Sequence, residues 1–158
     1  MKKLVYASVF LALLTTACKK SSSGSSAAVS ANLSGKTFSS AQSQAFYSQS
    51  QGLFAMVGYT IGNGDTTVLE LDLSSNVTLG SAVSFTSGQT VYYYDTKGNI
   101  SYTGDQTTGH GTVTINGWDK NNTKVTGTFT GVLLSDFNPN DSLVVTNGQF
   151  NVTYIAEP

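Results

Sequence analysis

Apolar and polar residues alternate along the C-terminal third of the chain. In segments 111–118 and 124–134, Val, Ile, Phe, Leu and Gly alternate with Thr and Asn. A period of two is the pattern of a half-buried β-strand. Residues 119–122, Asp-Lys-Asn-Asn, are a turn signal between the two segments. The pattern therefore predicts a β-hairpin, which a third strand over 143–154 extends into a meander.

In the third strand of this meander, two predicted core residues are separated by an odd number of positions. Val145 and Phe150 are five positions apart, and an odd separation puts two side chains on opposite faces of a regular strand. If both face the core, one extra residue must be absorbed. The Asn-Gly pair at 147–148 suits such a β-bulge, because both residues tolerate a left-handed backbone. The alternative is a regular strand with Val144 and Thr146 inward beside Phe150. The set expected in the core is Leu143, Val145, Phe150, Val152 and Tyr154.

Gly127 lies in the middle of the second strand of the meander, where Gly normally weakens strand pairing. We predict that its missing side chain admits a bulky neighbour, such as Trp118 or Phe150. Replacing Gly127 by Val is then expected to destabilise the fold by overpacking.

Two longer segments upstream of the meander also alternate. Gly52–Ile61 predicts a strand that is apolar on both faces, so both faces are candidates for burial. Thr67–Leu73 predicts a strand with three Leu facing inward and with Glu70 and Asp72 facing outward. The Gly-Asn-Gly-Asp turn at 62–65 joins the two strands into a hairpin.

Shorter apolar segments at 83–85, 91–94 and 100–102 predict three further strands. The polar run 39–44 is interpreted as a loop or an exposed edge. The total is about eight or nine short strands, spaced about ten residues apart, with no helix after the N-terminal segment. This spacing predicts an all-β domain in the form of an antiparallel β-sandwich. A lipocalin-like meander barrel is the alternative.

The N-terminal residues have the features of a bacterial export signal. Lys2 and Lys3 precede the apolar run Leu4–Leu14, which is too short to span a membrane. Small residues then precede Cys18, the only cysteine, in a pattern that resembles a lipoprotein signal, where the thiol carries the lipid. An ordinary secretory signal followed by a chance cysteine is the alternative. We predict a signal at 1–17, a flexible Ser/Gly tether at 18–30 and a single β domain at 31–158.

Charged residues make up 11% of the chain, against about 25% in a typical soluble protein. Ser, Thr, Gly and Asn replace them, which is a composition common in exported all-β proteins. The chain has no Arg and a net charge of −1, so it has no basic patch of the kind that binds nucleic acid. Nucleic acid is therefore not an expected partner, and no cofactor is expected.

Short Thr- and Gly-rich motifs follow one another along the chain. They are Leu-Ser-Gly-Lys at 33–36 before Phe38, Val-Thr-Gly-Thr-Phe at 125–129 and Val-Thr-Asn-Gly-Gln-Phe at 145–150. In this order they resemble a family of small Bacteroidetes-type lipoproteins of unknown function, over residues 31–154. The resemblance implies an envelope lipoprotein, and the family supplies no catalytic residue.

Tyr92, Tyr94 and Trp118 are candidates for an aromatic ligand platform. Tyr92 and Tyr94 share one side of a predicted strand, and Tyr93 lies on the other side. Exposed aromatic rings bind the apolar faces of sugars and other small molecules. Since at least one side of this strand is expected to face the core, core packing is the alternative role for these rings.

Asp136, Asn138 and Asn140 place oxygen side chains at alternate positions, as in the first half of a calcium-binding loop. Asp141 stands where such a loop has Gly, and Asn147 stands where it has a bidentate Glu. A turn stabilised by these polar side chains is therefore the alternative, and no metal is assigned.

Two triplets, 65–67 and 141–143, resemble the Asp-Ser/Thr-apolar sequon for O-glycosylation in such bacteria. Thr66 and Ser142 are the candidate acceptors, both in predicted turns. His110 is the sole histidine and lies between two Gly. Without a second His or an available Cys it cannot complete a zinc site, so we expect it to be an exposed loop residue.

The acidic residues are scattered, and no nucleophile has an obvious base beside it, so an enzyme is not expected. The leading prediction is a non-enzymatic lipoprotein, anchored by its lipid in the outer membrane of a bacterial cell envelope. Its β domain would have a structural or interaction role, with an envelope glycan or protein as partner. The alternative is a module that binds a glycan or a small apolar molecule through Tyr92, Tyr94 and Trp118.

Overall fold

The computed structural model describes residues 27–62, 64–74 and 78–157, with the backbone alone at 86 and 157. The predicted signal and Cys18 lie outside this part. One turn of 3-10 helix, Phe85–Ser87, separates the sixth and seventh strands. The twelve strands of the described residues are β1 (Val29–Leu33), β2 (Lys36–Ser39), β3 (Gln42–Ser48), β4 (Leu53–Gly62), β5 (Asp65–Ser74), β6 (Ala82–Ser84), β7 (Thr90–Asp95), β8 (Ile100–Gly104), β9 (His110–Asp119), β10 (Lys124–Ser135), β11 (Ser142–Thr153) and β12 (Ile155–Glu157).

Hydrogen bonds join these strands into one curled sheet, which confirms the prediction of an all-β fold. The main order is β12-β3-β4-β5-β7-β8-β10-β11-β1-β2, and β9 pairs with β10 and β6. Strands β2 and β3 lie near opposite ends of this order, yet only two residues separate them in the chain. At this corner the Ser40 N–H donates to the Val29 carbonyl at 2.8 Å, and the Ala41 N–H donates to the Tyr59 carbonyl at 3.1 Å. The chain therefore passes from one end region of the sheet to the other at this corner, and the curled sheet is a half-barrel, closer to the barrel alternative than to two separate sheets.

The N-terminal strands are the part that the side-chain pattern did not indicate. Run 39–44, interpreted as a loop or an exposed edge, ends in the first residues of β3. Residues 42–44 pair with β4 alone and so form an edge, whereas β12 pairs with β3 from Phe46 to Ser48. The β12 pairing is parallel, so the sheet is mixed rather than purely antiparallel. Strand β1 begins at Val29, two residues before the predicted start of the domain at 31. Backbone groups make these pairings, and every residue carries them whatever its polarity.

The predicted inward faces of the long strands form one core. The three Leu of β5 are fully buried, as expected from their alternation. On β9, β10 and β11 the predicted core residues are buried as well, except Leu143, which is half-buried against the core. Buried members of the meander are Val113, Ile115, Val125, Phe129, Leu133, Val145, Phe150, Val152 and Tyr154.

The bulge predicted in β11 is present. Between the pairs Phe129↔Gly148 and Gly131↔Val145, β10 advances by two residues and β11 by three. Asn147 has a φ of 52° and is the residue of the pair that takes the left-handed conformation. The extra residue restores the inward direction, so Val145 and Phe150 are both buried.

Phe85 lies in a slot lined by glycines from three strands. Its side chain is almost fully buried, and a Cβ at Gly111 or Gly131 would lie 2.4 Å or 2.6 Å from its Cε2 atom. A Cβ at Gly104 would lie 3.0 Å from the same ring. The ring therefore occupies the space that side chains on β8, β9 and β10 would otherwise fill.

Candidate functional site

The outer side of β5, β7 and β8 carries a group of tyrosine, carboxylate and hydroxyl side chains. Every second residue of these strands faces the core, so the residues between them point to the opposite face. In the register of the sheet, Tyr92 lies between Glu70 on β5 and Thr103 on β8. We call this surface the tyrosine face; it consists of Val68, Glu70, Asp72, Tyr92, Tyr94, Ser101 and Thr103.

The loop between β10 and β11 adds a fixed carboxylate beside the tyrosine face. The Ser101 hydroxyl donates to Asp136 Oδ2 at 2.5 Å, and the Thr103 hydroxyl donates to Asp136 Oδ1 at 2.8 Å. The Asp136 N–H donates in turn to the Ser101 carbonyl at 3.1 Å. Tyr94 lies directly opposite Ser101 in the register. Asp136 is thus held at the β8 side of the two tyrosines.

Glu70 and Asp72 lie on the β5 side of the tyrosine face. Both are half-buried, and neither makes a hydrogen bond or an ion pair with another residue in the described part of the chain. Their neighbours across β4 are Val57 and Ala55, which carry no charge. Burial raises the pKa of Glu70 to about 7, and the nearby charge of Asp72 adds to this rise. Burial also raises the pKa of Asp72 to about 6.

The sequence predicted that these two carboxylates face outward, but it did not identify them as site residues. The available signal was the neighbouring segment Gly52–Ile61, which is apolar on both faces. Ala55 and Val57 on its outer face are buried and lie opposite Asp72 and Glu70 in the register, and burial of a carboxylate disfavours its charged form.

Negative charge surrounds Tyr92. Burial raises the pKa of its hydroxyl, and the carboxylates of Asp72, Asp105, Glu70 and Asp136 raise this pKa further. An ionised phenol is disfavoured in such surroundings. The face therefore presents the neutral Tyr92 ring between carboxylates.

Asp105 begins the loop between β8 and β9. Unlike Glu70 and Asp72, it accepts hydrogen bonds from other described residues of the chain. Its Oδ1 atom accepts hydrogen bonds from the backbone N–H and the hydroxyl of both Thr107 and Thr108, at 2.7–2.9 Å. Burial by itself would raise the pKa of this carboxyl, but the four hydrogen bonds together lower it below its usual range. Asp105 is consequently a permanent negative charge near Tyr92.

We expect the free energy of unfolding to fall as the pH rises from about 4 to about 8. Glu70 and Asp72 have folded-state pKa values of about 7 and about 6, against ordinary values of 4.5 and 3.8. Between these values the folded chain holds protons that the unfolded chain has lost, so a rise in pH favours unfolding. The expected loss is roughly 2–3 kcal/mol, after a discount for partial exposure. Urea unfolding at a series of pH values measures it.

The double substitution Glu70→Gln and Asp72→Asn should flatten this pH dependence and stabilise the protein at about pH 8. Asp119→Asn is the matched control, because Asp119 is exposed in the β9–β10 turn and its pKa is lowered, chiefly by the hydrogen bond from the Asn122 side chain. The control should keep the wild-type slope. A wild-type stability that does not change between about pH 5 and pH 8 would contradict the raised pKa values.

The structure brings Tyr92 and Tyr94 together but places Trp118 elsewhere. The Trp118 ring packs edge-on against Tyr47 and Tyr154, with centroid distances of 5.2 Å and 6.1 Å. Its Nε1–H donates to the Tyr154 hydroxyl at 2.9 Å. Trp118 therefore belongs to a partly buried aromatic cluster against the core and is not a member of the tyrosine face.

The candidate calcium residues do not converge on one point. Asp136 is directed to β8, whereas Asn138 Oδ1 accepts a hydrogen bond from the Asn140 N–H at 3.1 Å within the loop. Asp141 accepts a hydrogen bond from the Tyr102 hydroxyl at 2.8 Å. Across the described residues, no three His, Cys, Asp or Glu side chains are grouped so that they could hold a metal ion.

The remaining candidates are separate from one another. His110 is exposed at the first residue of β9. Thr66 is half-buried near the start of β5, and its N–H donates to the Thr96 hydroxyl at 2.8 Å. Ser142 is exposed at the first residue of β11. Cys18 lies outside the described residues, so its lipidation stays a prediction.

A second surface that the sequence did not single out is a shallow concavity of about 490 Å³ on the outer side of the meander. Uncharged polar side chains form much of its lining, and none of its lining residues is charged. We call it the polar concavity; its members include Ser30, Thr37, Ser39, Thr128, Gln149 and Asn151.

The chain matches no protein-family model, and no curated protein or solved structure is detectably similar to it. The resemblance to small Bacteroidetes-type lipoproteins therefore stays a prediction from short motifs. In the part of the chain with described structure, no helix has the length and hydropathy of a membrane span.

Proposed function

We propose that this protein is a non-enzymatic lipoprotein of a bacterial cell envelope, whose β domain has a structural or interaction role. The observation that carries the proposal is the order of segments at the N-terminus. A basic start and a short apolar run lead to Cys18, and a Ser/Gly-rich segment follows. Strand β1 then begins at Val29. This order suits a domain tethered by a lipid on Cys18, with the outer membrane as the expected location.

The positions of the reactive side chains support a role without catalysis. His110 is exposed at a strand start. Glu70 and Asp72 both have raised pKa values. The residues opposite these two carboxylates in the strand register are Val57, Ala55, Tyr92 and Thr90, and none of them is a histidine. The surface therefore supports binding better than acid–base chemistry.

The Cys18→Ala variant tests the anchor. We expect the wild-type protein to fractionate with membranes and to carry the added mass of acyl chains, because the lipidated thiol supplies the membrane affinity. The variant should lose both properties. Ser21→Ala, in the same segment, is the control and should behave as wild type. Fractionation and mass that are the same in Cys18→Ala and wild type would remove the lipoprotein assignment.

Glycan binding is a second candidate function, and the polar concavity is the observation that favours it. Its volume lies in the range of ligand sites, and its hydroxyl and amide groups match the hydroxyl groups of a neutral sugar. Binding of neutral envelope oligosaccharides to the purified protein, with and without Gln149→Ala, tests this candidate. Equal binding by both proteins would exclude the concavity as the site.

A further inference from the structure

The tyrosine face is a partly exposed side of the sheet: Tyr94 is exposed, Thr103 is buried, and its other members are half-buried. Tyr94 is 39% exposed, and Phe137, which follows Asp136 in the β10–β11 loop, is 68% exposed. Large exposed aromatic residues are typical of surfaces that bind other proteins. The face extends across three neighbouring strands, whereas a small molecule is usually held in an enclosed pocket. Its form therefore favours another protein surface as the occupant.

The charges at this face are all negative. The charged groups that act on Tyr92 are Asp72, Asp105, Glu70 and Asp136, and all four are carboxylates. Asp105 and Asp136 have hydrogen-bond donors from this chain, but Glu70 and Asp72 have none among the described residues. Half-buried carboxylates without a partner are unfavourable unless a cation or a donor is brought to them.

A lysine ammonium group can bind both the carboxylates and the tyrosine rings of this surface. Its N–H groups can donate hydrogen bonds to the carboxylates of Glu70 and Asp72, and its charge can also lie against the face of a tyrosine ring. The neutral state of Tyr92 keeps its ring and hydroxyl available for such a contact.

We propose that the tyrosine face docks a lysine-bearing segment of a partner protein, with the ammonium group placed between Glu70, Asp72 and Tyr92. This inference deepens the proposed interaction role and rests on it. The partner at the tyrosine face would be a cationic polypeptide. The polar concavity is a different surface and would bind a neutral glycan.

Titration calorimetry with the full-length protein in a nonionic detergent tests the proposal. The probe is a Gly-Lys repeat peptide, compared with the same peptide acetylated on every lysine. We expect the free peptide to bind at about pH 8 and low salt, and to bind at least tenfold more weakly at about pH 5, where Glu70 and Asp72 take up protons. The acetylated peptide should not bind, because it lacks the charge.

The variant Glu70→Gln/Asp72→Asn should weaken binding by at least about tenfold, while Asp119→Asn, at the β9–β10 turn, should stay within about twofold of wild type. Circular dichroism confirms that each variant is folded. Absence of peptide binding by the folded wild type, equal binding of the acetylated peptide, or wild-type affinity in the double variant would each overturn the proposal. Competition by an oligosaccharide at this face would assign it to a glycan and overturn it as well. The peptide is mixed with purified protein, so these results do not depend on the membrane fractionation of Cys18→Ala.

Discussion

Phe85→Ala is expected to lower the free energy of unfolding by about 3–5 kcal/mol, the usual cost of removing a large buried ring. The Phe85 side chain is 1% exposed and fills the slot above Gly104, Gly111 and Gly131. Those glycines have no side chains that could move into the vacated space, so the cavity would stay largely open. Urea unfolding followed by circular dichroism measures the loss.

Phe137→Ala is the matched control, because it removes the same ring from a position that is 68% exposed. It should change stability by less than about 0.5 kcal/mol. A double-mutant cycle with Gly104→Ala sharpens the test. An Ala at 104 would crowd the Phe85 and Leu133 side chains, and part of that cost should disappear when Phe85 is already Ala. If the stability losses of the two substitutions simply add in the double variant, or if Phe85→Ala is as stable as wild type, then Phe85 does not fill the space beside these glycines.

Gly127→Val is expected to cost more than about 3 kcal/mol, above the usual range for overpacking. A Cβ at position 127 would lie 2.2 Å from the Phe150 Cζ atom and 2.3 Å from the Thr114 carbonyl oxygen. Phe150 is buried and has little room to move. The Thr114 oxygen belongs to the backbone of β9, so relief of the second contact would disturb the pairing of β9 with β10. Thermal and urea unfolding both report the loss.

Thr128→Val serves as the control for this substitution. Thr128 is the next residue of β10, is exposed on the outer side, and already carries a β-branched side chain. Its replacement should leave stability within about 0.5 kcal/mol of wild type. If Gly127→Val melts at the wild-type temperature, the close contact with Phe150 does not exist in solution.

The pattern of alternation predicted the meander, its hairpin and its bulge correctly. The reason is that each of these strands has one buried and one exposed face, so the polarity of successive residues records the direction of each side chain. The same reasoning predicted the contact between Gly127 and Phe150, although Trp118 was the other candidate. It missed β3, because Gln42 and Gln44 on this strand carry no apolar signal.

The aromatic platform was predicted in part. Tyr92 and Tyr94 do share the outer side of β7, which follows directly from their spacing of two. Trp118 was grouped with them only because it is also aromatic. The β9 strand has an irregular register between Gly117 and Ile115, and the Trp118 ring packs with the Tyr154 and Phe54 rings. No local pattern records a contact of this kind.

The sequence by itself determined the class of fold, the main core positions and the likeness of residues 1–18 to a lipoprotein signal. These depend on local periodicity and on short segments, which a linear chain displays in full. Only the tertiary structure decided that the strands form one curled half-barrel sheet, that Phe85 enters a slot made by three distant glycines, and that Asp136 lies beside the face of Tyr92 and Glu70. Each of these depends on which strands become neighbours, and that choice is made by packing between segments far apart in the chain.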